Sequence, residues 1–268
     1  MSSPLSRPDV WNAVADGYAE DLVPLFSRYA ADALRLAGVS AGDRVLDVAA
    51  GPGTLSFLAV EWGAEVVALD FSDAMVAALR RRSEAESVAV EVVPGDGQAL
   101  PFDDGAFDRA FSMFGLIFFP DPAAGLREAH RVLRPMGRLA VSSWAPMDGV
   151  PLLQTCFGAV AAHLPDFPFG EGRAPFGQPE ELQDAFEAAG FRDVEVHTVT
   201  HRTEATSAAS FWATNERSSA PLALIRQHLA PDAWADLRED VVGTIERDLG
   251  DGPYAMEWPA RIAVGTRP

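Results

Sequence analysis

The chain has 268 residues, 48% of them hydrophobic and 22% charged, with a formal net charge of −18, which predicts one large globular domain or a domain with an appended lid. That charge excludes a general nucleic-acid binder and a basic membrane-surface helix, because both need clustered cations. All 21 cationic residues are Arg, and the absence of Lys excludes a Walker-type phosphate loop, Schiff-base chemistry and pyridoxal-phosphate chemistry.

The single cysteine, Cys156, permits neither an intrachain disulfide nor a cysteine-built metal site and reads as a buried structural thiol. No apolar run approaches the roughly 18 residues of a membrane span. The first residues lack the basic-then-apolar pattern of a secretion signal. The expectation is a cytoplasmic protein, monomer or homodimer, with no metal.

In chain order, residues 9–37 repeat apolar positions at three- and four-residue steps, from Val10 and Trp11 to Ala33 and Leu36, and predict a helical cover that Pro24 breaks or restarts. Strands are predicted at 44–49, 65–70, 88–93, 107–112 and 138–144. Helices are predicted between them at 54–62, 73–85 and 121–133, with Ser72 and Asp73 capping the second and Asp121-Pro122 starting the third. Strands alternating with helices imply a doubly wound, mostly parallel α/β sheet covered on both faces. Beyond Trp144 the pattern loosens: a proline-rich stretch over 145–178 holds a short helix at 151–163, and a helix follows at 179–189. A strand begins at Val194, helices fill 207–249 with Pro221 and Pro231 as punctuation, and a last strand runs over Ala260–Thr266.

The segment Arg44-Val-Leu-Asp-Val-Ala-Ala-Gly-Pro-Gly53 organises this pattern. A short apolar strand stops in a glycine turn and a helix resumes at Leu55, the parts of a nucleotide-type binding corner. Glycines there let backbone approach a ligand. About twenty residues on, Asp70 ends the second strand, where such folds hold a ribose diol.

Four segments in this order resemble the class I S-adenosylmethionine-dependent methyltransferases, in the group similar to the quinone-biosynthesis enzymes. They are Val45–Gly53, Val67-Ala-Leu-Asp-Phe-Ser-Asp-Ala-Met75, Gly95-Asp-Gly-Gln-Ala-Leu-Pro-Phe102, and Phe107–Ser112 followed by Arg131–Ala140. The resemblance covers residues 10–145 well. Two positions depart from it: Ala49 stands where the family usually has its first glycine, and Met136 replaces a common glycine before the fifth strand.

The resemblance implies a seven-stranded Rossmann-like sheet and S-adenosylmethionine as cofactor, S-adenosylhomocysteine being the product. It implies a single domain over 1–268, divided into a helical cover (1–40), a cofactor-binding core (41–145) and lid segments (145–178 and 207–258). Asp70 is expected to accept hydrogen bonds from both ribose hydroxyls, an ionised acceptor suiting two donors. Asp96, with Gly97 and Gln98, is expected at the adenine amino group, and Phe71 and Met75 on either side of the ring. Gly51 and Gly53 leave room for the methionine part. Its ammonium is expected near the carbonyls of Ala49 and Ser112 and near Asp47, while Tyr18 completes the cofactor set from the cover.

The implied reaction is in-line methyl transfer to an oxygen, nitrogen or carbon of a small molecule, driven mainly by proximity and orientation, so no fixed catalytic residue carries over. The fourth-strand end, Ala110–Gly115, offers no carboxylates for a hard cation. An aromatic substrate pocket is expected from Trp11, Phe114, Phe118 and Trp144, with Phe118 and Phe119 divided between lining the pocket and packing beneath the loop. His163 is the first histidine to test as a general base. Two other readings stay open: a regulatory module that binds the cofactor without turnover, and a nicotinamide-dependent reductase on a similar sheet. Against the latter, Ser56 stands where a dinucleotide enzyme wants its third glycine.

Overall fold

The computed structural model describes residues 4–147, 149–164 and 175–268. The cover is three helices, α1 (Pro8–Asn12), α2 (Ala15–Asp21) and α3 (Val23–Ala37). The interruptions fall at Ala13–Val14 and at Leu22, and Pro24 sits in the first turn of α3. There the missing N–H costs nothing, so Pro24 starts a helix instead of breaking one. The alternating unit follows: β1 (Arg44–Val48), α4 (Thr54–Glu61), β2 (Glu65–Asp70), α5 (Asp73–Glu86), β3 (Glu91–Pro94) and β4 (Phe107–Met113). Next come α6 (Pro122–Val132), β5 (Leu133–Trp144), α7 (Pro151–His163), α8 (Pro179–Ala188) and β6 (Arg192–Ala205). The chain closes with α9 (Ala208–Ser218), α10 (Ala220–His228), α11 (Pro231–Leu249) and β7 (Tyr254–Thr266). Ser72 caps α5 by accepting from the Met75 N–H, and Asp121 caps α6 through the Ala124 N–H.

The seven strands form one sheet in the order β3-β2-β1-β4-β5-β7-β6, parallel except for β7, which runs antiparallel to both neighbours. Alternation along the strands sorts the core. Leu46, Val48, Val67 and Leu69 meet α6 and α8 through Leu126, Val132, Leu182 and Phe186. On the opposite face Val45, Val66 and Phe111 meet α3 and α4 through Ala33, Leu34, Leu55 and Ala59.

Three strands are longer than expected: β5 begins at Leu133 instead of 138, and the last two extend outward. The strand predicted from Val194, read as far as Thr200, and that over 260–266 are the inner part of a hairpin whose outer part pairs His201–Ala205 with Tyr254–Trp258. Pro259 hides this extension from a sequence reading. It is tolerated because β5 ends opposite Ala260, so one side of β7 is free of strand pairing from Pro259 outward. The outer hairpin joins α7, α9, α10 and α11 around a separate apolar core that includes Leu153, Phe211, Trp212, Trp234, Ile245 and Met256. Cys156 is buried in that core, which pushes its thiol up to about 12 and leaves it unreactive. Among the described residues, no helix is long and apolar enough to cross a membrane.

Candidate functional site

The sheet order reverses direction between β1 and β4, so the loops leaving their carboxyl ends diverge and open a crevice. A cavity of about 870 Å³ occupies it, roofed by α2, α9 and the outer hairpin. This is near the upper end for a single small ligand, large enough for a cofactor and a second molecule beside it.

The loop after β1 turns through left-handed conformations at Ala49 (φ 57°), Gly51 (φ 57°) and Gly53 (φ 82°). Ala49 pays a steric cost of about 1–2 kcal/mol there, the cost that glycine avoids. Gly51 faces the cavity, and a Cβ on it would come no nearer than 4.0 Å to Met75 Sδ, its closest neighbour. Gly53 differs from expectation: it does not line the cavity. A Cβ there would meet the Phe57 ring at 2.9 Å and Leu79 at 3.0 Å, so this glycine lets α4 close on α5.

Asp70 is 5% exposed. Its Oδ2 accepts from the Gly51 N–H at 2.8 Å and its Oδ1 from the Ser72 N–H at 2.9 Å, fastening the first two loops together. Burial raises its pKa against the lowering effect of these N–H groups. Asp47, 2% exposed, lies one layer beneath, beside a smaller cavity shared with Tyr18, Ala49 and Gly51. Burial pushes its carboxyl up to about 7, partly offset by the Ser56 hydroxyl, which donates to Oδ2 at 2.7 Å, and reinforced by the charge of Asp70. Among the described residues neither carboxylate has an ion-pair partner. Two buried carboxylates without a cation make a site that favours a cationic ligand. Tyr18 reaches the same region, and burial, followed by the charge of Asp70, raises its phenol far above the ordinary range. Its hydroxyl is a hydrogen-bond donor and not a base.

The loop after β3 presents Asp96, Gly97 and Gln98 to the cavity. Asp96 Oδ1 accepts from the Gln98 N–H at 2.8 Å, and Gln98 Oε1 accepts from the Asp121 N–H at 2.8 Å, tying this loop to the start of α6. Gly97 is required: a Cβ would lie 2.5 Å from the Phe119 ring and 2.7 Å from Val48. Phe119 therefore packs beneath the loop while also touching the cavity. Phe71, 39% exposed, and buried Met75 both line the same end.

The cover is bonded on two sides. Asn12 Oδ1 accepts from the Ser72 hydroxyl at 2.7 Å and from the Ala74 N–H at 3.2 Å. Across the roof Arg217 of α9 donates to both carboxylate oxygens of Asp21, at 2.7–3.1 Å. Gly17 allows that approach, since a Cβ there would lie 2.7 Å from the Arg217 carbonyl carbon.

The remaining wall is aromatic. Trp11 and Phe118 stack edge-on at 4.9 Å, and Phe114 and Trp144 lie 4.2 Å apart, all four lining the cavity as expected. Sequence reasoning missed Phe26, Met256 and Trp258, together with Thr214 and Asn215 of α9. The alternation of Tyr254, Met256 and Trp258 was the available signal for the outer strand. Two expected residues stand elsewhere. Ser112 is buried within the sheet, its hydroxyl without a partner among the described residues, and lines neither cavity. His163 ends α7 and its Nε2 meets Asp240 of α11 at 2.7 Å, outside the cavity wall. None of the described cavity-lining residues is a histidine.

Comparison with known proteins agrees with this geometry. A family model described as a methyltransferase domain matches residues 46–141. A demethylmenaquinone methyltransferase of Clavibacter sepedonicus is 37% identical over 173 residues, covering 60% of this chain and 70% of that protein. The enzyme of the same name from Thermus thermophilus is 43% identical over 121 residues, 44% of this chain. This chain spans about half the length of that relative (55%). Among solved structures, a Bacillus halodurans protein proposed to be a methyltransferase superposes with a TM-score of 0.61 at 20% identity, over 89% of this chain and 98% of that one.

Proposed function

The chain belongs to the class I S-adenosylmethionine-dependent methyltransferases, in the group related to the quinone-biosynthesis enzymes, and from that premise we propose that it methylates a small, largely apolar acceptor held in the aromatic half of the cavity. The observation that carries this reading is the division of one cavity into two chemistries. Buried Asp70 and a glycine turn, with Asp47 beneath them, stand at one end, and Phe114, Trp144 and Trp258 at the other.

The residues present fit the cofactor. The Gly51 and Ser72 N–H groups each take a site on one Asp70 oxygen, and a carboxylate offers about four such sites, so capacity remains for the ribose hydroxyls. Asp47 and Asp70 supply the negative charge that a cationic sulfonium amino acid needs, and Gly51 leaves the open backbone its methionine part requires. Phe71 and Met75 would hold the adenine, with Asp96 at its amino group.

S-adenosylmethionine supplies a methyl on a sulfonium leaving group. The protein's own work is alignment: the aromatic wall sets the acceptor against the donor end, and closure of α2 on α9 excludes water from the roof. In this reading residues 1–40 serve as the cover, 41–145 as the cofactor-binding core, and 145–178 and 207–258 as the lid. Part of the 145–178 lid segment, residue 148 and residues 165–174, lies outside the described residues. With no histidine among the described lining residues, an acceptor that must lose a proton would give it to one of the lining carboxylates, and an acceptor that is already nucleophilic needs no base.

Incubation with methyl-labelled cofactor and a panel of hydrophobic phenols, amines and carbon acids tests the reading. Transfer of label to at least one apolar acceptor is the expected result. Tight cofactor binding with no transfer to any acceptor or cell extract would leave a binding module in place of an enzyme.

A further inference from the structure

We propose that Thr214 and Asn215 of the roof helix α9 are the specificity residues for the acceptor: they hydrogen-bond an uncharged oxygen on it while its apolar body rests on Trp144 and Trp258. This rests on the methyl-transfer reading and adds the acceptor's polar recognition to it.

The first support is the orientation of α9. Phe211, Thr214, Asn215 and Ser218 are spaced three, four and seven apart, which places them on one face, and all four line the cavity. Along the edge of this stripe Ala208 and Trp212, with Phe211 itself, pack into the lid core. A helix normally turns its apolar stripe inward. Here a second, mostly polar stripe also faces inward, toward a cavity.

The second support is the hydrogen-bond count. Ser218 spends its hydroxyl on the Thr214 carbonyl at 2.7 Å. Asn215 donates one N–H to the Phe211 carbonyl at 2.9 Å, which fixes its amide and leaves its Oδ1 and second N–H without a side-chain partner among the described residues. The Thr214 hydroxyl has no partner among the described residues. Both side chains are half-buried. Half-buried polar groups with spare capacity on a cavity wall favour a ligand that completes them.

The third support is position. At its start α9 packs through Phe211 with Leu153 and Met256 at the acceptor end, and just past its end Ala220 packs with Met75 at the cofactor end. With a rise of 1.5 Å per residue, Thr214 and Asn215 stand about 5 Å from either limit of the stripe, over the junction of the two halves where transfer takes place.

Charge then selects the acceptor class. Among the described residues Arg28 is the only cation lining the cavity, and it is exposed and bonded to the Arg202 carbonyl. The same wall carries Asp21, Asp70, Asp96 and Glu204. Asp21 is paired with Arg217 and Glu204 with Arg202, which leaves Asp70 and Asp96 without a cation among the described residues. An anionic acceptor would still meet uncompensated negative charge, so the polar group that Thr214 and Asn215 receive is neutral, a hydroxyl or a keto oxygen.

The test uses the full chain saturated with S-adenosylhomocysteine and titrated with 4-butylphenol, 4-butylbenzoate and butylbenzene. The expected order has the phenol binding at least tenfold tighter than the benzoate and measurably tighter than butylbenzene. Asn215→Leu and Thr214→Val each bring the phenol toward butylbenzene's affinity while S-adenosylhomocysteine affinity stays within about twofold and the thermal midpoint holds. Benzoate binding as tightly as the phenol would overturn the inference. So would a phenol preference that survives both substitutions, or an equal loss of S-adenosylhomocysteine, which would assign the row to the cofactor. Failure of the unaltered protein to bind S-adenosylhomocysteine is a separate result and falls on the methyl-transfer reading itself.

Discussion

Asp70→Asn lowers the affinity for S-adenosylhomocysteine by roughly 1.5–3 kcal/mol, about ten- to 150-fold, as expected for charge-assisted hydrogen bonds to two ribose hydroxyls. Asp70→Ala loses at least as much, because it also releases the Gly51 and Ser72 N–H groups that the carboxylate holds. Calorimetric titration of both variants reads this directly. The Asn variant separates the contributions: its Oδ1 can keep one backbone bond, so a loss confined to the Ala variant would mean that Asp70 orders the loops without touching the ligand.

The second large effect concerns Asp47. Its folded-state carboxyl lies near 7 against an ordinary value of 3.8. The folded protein therefore binds more protons than the unfolded chain between these limits, and the ligand-free protein loses stability through this group as pH rises from about 4 to 7, with no further change above. Asp47→Asn removes that dependence and stabilises the ligand-free protein at pH 8 by roughly 2–4 kcal/mol. The same substitution weakens S-adenosylmethionine binding, since a neutral amide no longer offsets the ligand's positive charge. In the unaltered protein, cofactor affinity falls as pH drops through about 7 and binding releases protons. Denaturant unfolding at pH 5 and pH 8, with calorimetry in two buffers of different ionisation enthalpy, measures both. A variant that is less stable at pH 8 would show that the buried charge is already compensated.

The cofactor half of this site was legible in the sequence because its signals are local. An apolar strand, a glycine turn, a capped helix and a carboxylate at the next strand's end each follow from neighbours in the chain, and Asp70, Asp96, Gly97 and Met75 come together at the cavity. Gly53 shows the limit: the motif places it correctly, but its neighbours Phe57 and Leu79 come from two helices, and only the packed structure shows that it serves them.

The acceptor half was less legible because it depends on distant pairings. The bond from the Tyr29 hydroxyl to the Trp258 carbonyl spans 229 residues, and the Asp21–Arg217 pair spans 196. Pro253 and Pro259 flank the outer part of β7 and disguise its alternation. His163 stood out in the sequence beside a proline-rich segment, yet its role is a pair with Asp240 at the helix end.

The claim at the centre of this account is that the cavity between β1 and β4 is built for a methyl donor and not for a dinucleotide. Thermal unfolding in the presence of S-adenosylhomocysteine or NAD, each at matched concentrations, addresses it with one comparison. At 100 times its dissociation constant a ligand adds about 2.7 kcal/mol to the folded state, which predicts a clear rise in midpoint with S-adenosylhomocysteine that Asp70→Asn diminishes, and none with NAD. A rise with NAD and none with S-adenosylhomocysteine would contradict it.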